Sequence, residues 1–409
     1  MAFLSYPDYK RYLILNLIHR CGPISRTRLA ELTDYIPAVI TGIVKELMDA
    51  QLVIEKGSAY AGQGRRRALL QINNDYICAV GISISEASVL MVVSDLGGNL
   101  LQREAHPLQP GCVASEVVDT VLNNLPPLLE AFSDRKILGI GICDPGVLDP
   151  HSGRAISSVR FSDWGDVHLQ EAVQTHTGLP VRVASGNVVW ALAEQRYGAA
   201  QGLQDFVGIG LGKGIGMSFV TNGLVVKGHN SFAGEIGHTV VQESDALCYC
   251  GNRGCVEQTT ALPYIRNEIS RALRQGVHSV LRQRLGAEQT PAVSDIRWAL
   301  DQGDKLCMHI VQEAAARIGV AVANVVNLLD PACVVFYGEL VALGDVFLNA
   351  IKRAVCDHTL FMLGKIDFRV SALMENAEPI GAATMLFADF LKSDNFKWLA
   401  ELPDGAEGE

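Results

Sequence analysis

The apolar positions of the first 72 residues recur at helical spacing and then change to short extended runs. From Asp8 to about Cys21, Tyr12, Leu13, Leu15 and Ile18 mark one face of a helix that Gly22-Pro23 ends. Ser25 is a good N-cap for a second helix over Arg26–Leu32, Asp34 opens a turn, and Pro37 suits the first position of a third helix. That third helix turns Ile40, Ile43, Val44 and Leu47 inward and offers Ala38, Val39, Thr41, Gly42 and Lys45 outward. Two helices joined by a tight turn, the second presented to solvent, form a helix-turn-helix. Leu52–Glu55 and Ala68–Ile72 then read as strands on either side of a glycine-rich loop holding Gln63, Arg65, Arg66 and Arg67, the pattern of a wing. Arg26, Pro37, Ala38, Val39, Thr41, Gly42, Lys45, Gln63 and the three arginines are therefore the candidate contacts to double-stranded DNA.

After Tyr76 the pattern becomes strand-like: Ile77–Ile84, Ser88–Ser94 and Asn99–Glu104, with Asp95–Gly98 as a hairpin turn. A helix between Ser115 and Phe132 and a strand over Lys136–Ile142 follow. A second set opens at Phe206–Leu211, continues through Met217–Thr221 and Leu224–Lys227, and ends in long helices and a strand at Cys333–Tyr337. Sheet, helix and sheet again predict duplicated α/β lobes behind the helical head.

A chain of 409 residues, 49% apolar and 19% charged, can bury large cores and has room for two to three domains. Its net charge of −10 is uneven. Residues 1–70 carry ten Lys/Arg against six Asp/Glu, leaving 24 basic against 38 acidic residues in the remainder. A basic head on an acidic body predicts a polyanion-binding module attached to something else. The start lacks the basic and apolar regions of a secretory signal, and the longest apolar stretch, Ala314–Leu329, is interrupted by Arg317, Asn324 and Asn327. It reads as a buried helix in a cytoplasmic protein with no membrane insertion. Seven of the ten cysteines are scattered, mostly in apolar runs typical of reduced interior thiols.

The other three lie in a short stretch that carries chemistry: Gly234-Glu235-Ile236-Gly237-His238, Cys248-Tyr249-Cys250, and Gly254-Cys255-Val256-Glu257. Three thiols and an imidazole are the donors of a closed tetrahedral zinc site, and Gly251 and Gly254 supply the turns that wrap a loop around an ion. His238, Cys248, Cys250 and Cys255 are the expected ligands of a structural Zn²⁺; a redox pair or buried thiols are the alternative.

This stretch resembles the signature of the ROK family, which joins bacterial sugar kinases with sugar-responsive repressors. That signature is G-E-I-G-H followed by C-x-C-G-x-x-G-C-x-E, and every named position is present. The resemblance implies that Glu235, His238 and Glu257 contact sugar hydroxyls; otherwise His238 is a ligand only and the glutamates serve loop amides. It also implies an α/β, two-lobed actin-like (ribonuclease-H-like) ROK fold preceded by an N-terminal winged helix-turn-helix. Domains are expected at 1–72 for the head, 73–187 for the first lobe, completed by a C-terminal helix near 380–396, and 188–379 for the second lobe with its zinc knuckle. Against the family's repressors, Ile36 replaces the usual capping serine, and Val39 and Gly42 stand where polar or basic side chains commonly reach for DNA.

Kinase and repressor differ in parts that can be looked for. The family's kinases open their first strand pair with Asp-x-Gly-Gly-Thr, where this chain has Ser83-Ile84-Ser85-Glu86-Ala87. Their sugar-side motif, Pro-Val-x-Val-x-Asn-Asp, aligns with Pro180–Gly186, so a glycine stands in place of the catalytic base. Losing an acid–base group costs about 10²- to 10⁴-fold in rate. The Gly212-x-Gly214-x-Gly216 turn survives but serves strand geometry equally well. The expectation is a non-enzymatic DNA-binding regulator, a repressor of carbohydrate-uptake or catabolism genes. It would act as a homodimer or homotetramer on an operator, controlled by a sugar in the cleft between lobes or by a phosphotransferase-system protein. The alternatives are a ROK sugar kinase with an accessory head and a zinc-stabilised scaffold with vestigial DNA contacts.

Overall fold

The computed structural model describes residues 6–61, 65–149, 152–158, 160–286, 289–360 and 365–391. The head runs α1 (Tyr6–Cys21), β1 (Ile24–Ser25), α2 (Arg26–Thr33), α3 (Pro37–Asp49), β2 (Val53–Ala61) and β3 (Arg65–Ile72). Ser25 caps α2 by accepting from the Arg28 amide at 3.2 Å. Pro37 starts α3, and Ile36 before it makes no side-chain cap. Ile40, Val44 and Leu47 are buried, whereas Ala38, Thr41, Gly42 and Lys45 are exposed. Head strands pair in the order β1-β3-β2. One expectation changes here. Arg65, Arg66 and Arg67 belong to strand β3, in register with Ala61, Tyr60 and Ala59, and are not part of a loop. The register shift between Glu55 and Ser58, at Gly57, lets the hairpin continue past the point where the apolar pattern stops. Gln63 lies outside the described residues.

The chain then forms β4 (Ile77–Ile84), β5 (Ser88–Asp95), β6 (Leu100–Pro107), α4 (Ala114–Glu130), β7 (Lys136–Asp144), β8 (Val147–Leu148), β9 (Ala155–Ser157), α5 (Leu169–Thr177), β10 (Val181–Ser185) and α6 (Gly186–Tyr197). It continues with β11 (Phe206–Leu211), β12 (Ile215–Thr221), β13 (Leu224–Val225), α7 (Leu262–Arg274), α8 (Val293–Asp301) and α9 (Lys305–Leu329). The last elements are β14 (Cys333–Tyr337), α10 (Asp345–His358), β15 (Asp367–Val370) and α11 (Ala377–Leu391).

The duplication is visible in strand order. One sheet is β10-β7-β4-β5-β6 and the other is β13-β12-β11-β14-β15. Each has three antiparallel strands in chain order, followed by two that join on the other side in parallel. Read from the parallel edge, the second sheet repeats the first. Two compact units result: residues 1–189 with 378–409, and residues 190–377.

In the first unit the head is not a separate bead. Leu13, Leu17, Leu29, Ile40 and Val44 of the head share one core with Ile77, Ala79, Leu386, Phe387 and Leu391. Helix α11 reaches that core because β4 and β7 carry glycines beneath it. A Cβ on Gly81 would lie 1.8 Å from the Pro379 carbonyl oxygen, and one on Gly141 would lie 1.9 Å from that of Ala382. In the second unit α9 is the central helix, with Ala314, Ala315, Ile318, Ala321 and Val322 all buried. Among the described residues α9 is the one helix long and apolar enough to cross a membrane, and over half of its apolar stretch is buried within the protein. Of the scattered cysteines, Cys21, Cys78, Cys143, Cys307 and Cys333 are buried, whereas Cys112 is half-buried and Cys356 exposed.

Candidate metal and effector site

Between β13 and α7 the chain leaves the sheet, and short-range contacts order it. Gly237 lets a single 3-10 turn, Ile236–His238, press on β12: a Cβ there would meet the Ile215 carbonyl oxygen at 2.2 Å. Isolated bridges Val240↔Cys255 and Leu247↔Arg253 close the loop, and Gly251 and Gly254 adopt φ of 91° and 74° at its turns. The Cys248 amide donates to the Asn252 carbonyl at 2.8 Å.

This loop brings His238, Cys248, Cys250 and Cys255 together, with all four donor atoms within 4.8 Å of one another. Cys248 Sγ lies 3.6 Å from His238 Nδ1, and Cys250 Sγ lies 3.7 Å from Cys255 Sγ. Bond lengths of about 2.3 Å to sulfur and 2.0–2.1 Å to imidazole place tetrahedral ligand atoms about 3.6–3.8 Å apart. The set therefore fits a small, thiophilic, tetrahedral cation, and its closure on all four sides suits a structural ion.

With Nδ1 turned toward the thiols, His238 Nε2 is left for other partners. Tyr249 Oη lies 3.0 Å from it, with the two rings edge-on, and Glu235 Oε2 lies at 3.8 Å. Burial pushes the Glu235 carboxyl above its usual range; His238 opposes the rise and Glu257 adds to it. Burial also pushes the Tyr249 hydroxyl up, followed by the proximity of Glu257. Glu257 Oε2 accepts from the Ile215 amide at 2.9 Å, so one of its oxygens serves a loop amide. Glu235, His238 and Glu257 thus form one cluster, with the Tyr249 hydroxyl on His238 Nε2. The Cys-x-Cys spacing reveals the ligands but gives Tyr249 no role.

The positions aligned with kinase chemistry are occupied differently. Ser85 Oγ accepts from the Ala87 and Ser88 amides at 3.3 and 3.1 Å, forming an ordinary side-chain-closed turn after β4. Gly186 begins α6. Asp144 is buried and committed to structure, accepting from the Gly146 amide at 2.7 Å and from Trp164 Nε1 at 2.9 Å. Burial raises its carboxyl.

On the head, Thr41 Oγ1 donates to the Pro37 carbonyl at 2.8 Å, and Lys45 is exposed. Arg26 pairs with Glu55 at 2.7 Å and reaches Met48 Sδ at 3.6 Å, so its guanidinium already has partners.

The ROK family model matches residues 79–388. The chain belongs to the ROK family. Among similar proteins, the xylose repressor of Caldicellulosiruptor bescii is 28% identical over 389 residues, covering 93% of this chain and 96% of its own. The transcriptional dual regulator NagC of Escherichia coli K12 is 28% identical over 346 residues, covering 84% and 83%. A solved ROK transcriptional regulator, described as a homolog of E. coli Mlc, superposes with a TM-score of 0.82 at 26% identity, over 96% of this chain and 98% of that one. A ROK glucokinase from Streptomyces griseus shares the fold, with a TM-score of 0.66 and 24% identity, over 75% of this chain and 98% of its own. The regulators are thus matched across 84–96% of this chain and the kinase across 75% of it.

Proposed function

We propose that this protein is a DNA-binding transcriptional repressor of carbohydrate-uptake or catabolism genes, built on a ROK body that no longer phosphorylates sugar. The observation that carries the reading is the pairing of a helix-turn-helix head with Gly186 where the kinase base belongs. Similarity to regulators over 93–96% of the chain supports it. Helix α3 enters the major groove of the operator, and the β2–β3 hairpin, a wing, lays Arg65, Arg66 and Arg67 along phosphates or in a narrow minor groove. Pro37, Ala38, Val39, Thr41, Gly42 and Lys45 line the approach; Arg26 and Gln63 are further candidate contacts. Few of these are donors to base edges, so specificity rests on Thr41, Lys45, thymine-methyl contacts by Val39 and DNA shape. Two heads in a homodimer would have to sit about 34–36 Å apart to meet successive major grooves.

The ion is a structural Zn²⁺ on His238, Cys248, Cys250 and Cys255. Zinc supplies rigidity: it holds His238 and the two glutamates in one orientation, and the Tyr249 hydroxyl accepts from His238 Nε2–H. A neutral sugar binds by exchanging its hydroxyls for that of Tyr249 at His238, Glu235 and Glu257, and binding lowers operator affinity. A phosphotransferase-system protein is a second route of control. Random-site selection with the full chain, followed by gel shift, tests the head: enrichment of a palindrome is expected, and failure to enrich any site favours a scaffold with vestigial contacts. Coupled ADP release tests the body. Sugar-dependent turnover that Glu235→Ala abolishes would establish the kinase reading instead.

A further inference from the structure

Helix α6 begins at Gly186, where a kinase's proton acceptor would stand, and the space beside it is not empty. A Cβ built on Gly186 would lie 3.4 Å from Glu378 Oε1 and 3.8 Å from Cys143 Sγ. The side chain missing at one end of the fold is answered by a carboxylate from the first turn of α11, at the far end of the chain. The buried Cys143 thiol lies beside the same glycine as this carboxylate. Burial first, and Glu378 next, hold the thiol well above its usual range, so it stays protonated. Ser185 and Asn187, half-buried, flank the same space.

The other end of α11 is anchored in the head. Asn16 Nδ2 donates to the Leu391 carbonyl at 2.7 Å, and Leu386, Phe387 and Leu391 lie in the core with α1, α2 and α3. Between its ends α11 rests on Gly81 and Gly141 with no side chain intervening, so it has little room to bend and a shift at one end is passed to the other.

We infer that Glu378 is the effector-sensing carboxylate of this repressor. It accepts the hydroxyls of a neutral sugar in the space vacated at Gly186, and α11 carries the resulting displacement to the DNA-binding helices. A carboxylate is a strong acceptor for such hydroxyls, and with Ser83 in place of the metal-side aspartate it has no phosphoryl-transfer partner. This inference rests on the proposed sugar control of the repressor.

The test uses calorimetry on the full-length, zinc-loaded protein with D-glucose, D-xylose and N-acetyl-D-glucosamine, and anisotropy of its selected operator with the same sugars. Wild type is expected to bind at least one of them. Glu378→Gln should weaken that binding by about 10-fold or more, the range for a hydrogen bond to a charged group, and raise the sugar concentration for operator release by a similar factor. Each variant is compared with its own sugar-free operator affinity. Gly186→Asp forces a second carboxylate into the same space and should abolish the sugar response, whereas adding Glu378→Ala to it should restore much of that response. Wild-type binding with an unchanged response in both Glu378→Gln and Gly186→Asp overturns the role of Glu378 alone. Absence of heat from wild type with every sugar overturns sugar control and this inference together.

Discussion

The head with its lobe and the metal loop are ordered by different means. The first is held by apolar burial: head helices, the start of the central strand β4 and α11 fill one core with Leu, Ile and Phe. The second, between β13 and α7, has isolated bridges, four glycines of positive φ and four converging candidate metal donors, and its Leu247, Tyr249 and Val240 are exposed. A core of this kind makes distant segments fold as one, whereas the order of such a loop would rest on the ion proposed for it.

Removing the ion should produce the largest effect, because structural zinc contributes about 10–16 kcal/mol of apparent binding energy in small zinc domains. Elemental analysis should give one zinc per chain in wild type and a marked loss in Cys250→Ser. Amide exchange should then rise around Glu235–Glu257 while α1 to α3 keep their protection. Unchanged exchange in metal-free protein would show that the loop needs no ion.

Phe387→Ala attacks the other region. Truncating this buried ring should cost about 3–5 kcal/mol in urea unfolding, and α1–α3 should lose protection together with β4 and β7. A head that stays protected while the sheet opens would mean that the shared core does not couple them.

A smaller effect is expected at Asp304, which caps α9 by accepting from the Cys307 amide at 2.9 Å and also accepts from the Val280 amide at 2.7 Å. Burial pushes its carboxyl up, but these amides outweigh burial and leave it below its ordinary 3.8. A depressed carboxyl stabilises the fold above its unfolded value and loses that contribution as pH falls through 3.8 toward the folded value. Asp304→Ala should cost about 0.5–2 kcal/mol at neutral pH, and its gap from wild type should narrow below about pH 3.8. A gap independent of pH would assign the loss to packing.

The smallest effect belongs to Lys45→Ala, which should reduce the salt slope of operator binding by about 1 and weaken binding across all sequences alike. A loss confined to one base position would make Lys45 a base reader.

Much of this was legible in sequence. Ser25, Pro37 and the inward face of α3 set the head, because caps and periodicity act locally. The convergence of the four candidate metal donors was legible because they lie close together in sequence. The three arginines read as loop because Gly57, Gly62 and Gly64 interrupt the apolar alternation, yet backbone pairing carries the strand through Arg65. Tyr249 and Glu378 carried no pattern: one is placed by a ring–ring contact, the other by a packing arrangement between residues far apart in the chain. The sharing of a core by α11 and the head is likewise a tertiary fact, since glycines at 81 and 141 do not announce what lies above them.

The central claim, that a ROK body without kinase chemistry serves a sequence-specific DNA-binding head, is tested most directly by anisotropy of the full chain on its selected site and on random DNA of equal length, across 50 to 200 mM salt. The account predicts binding at least about 10³-fold tighter to the selected site, with affinity falling steeply as salt rises. Equal affinity for both DNAs would contradict it.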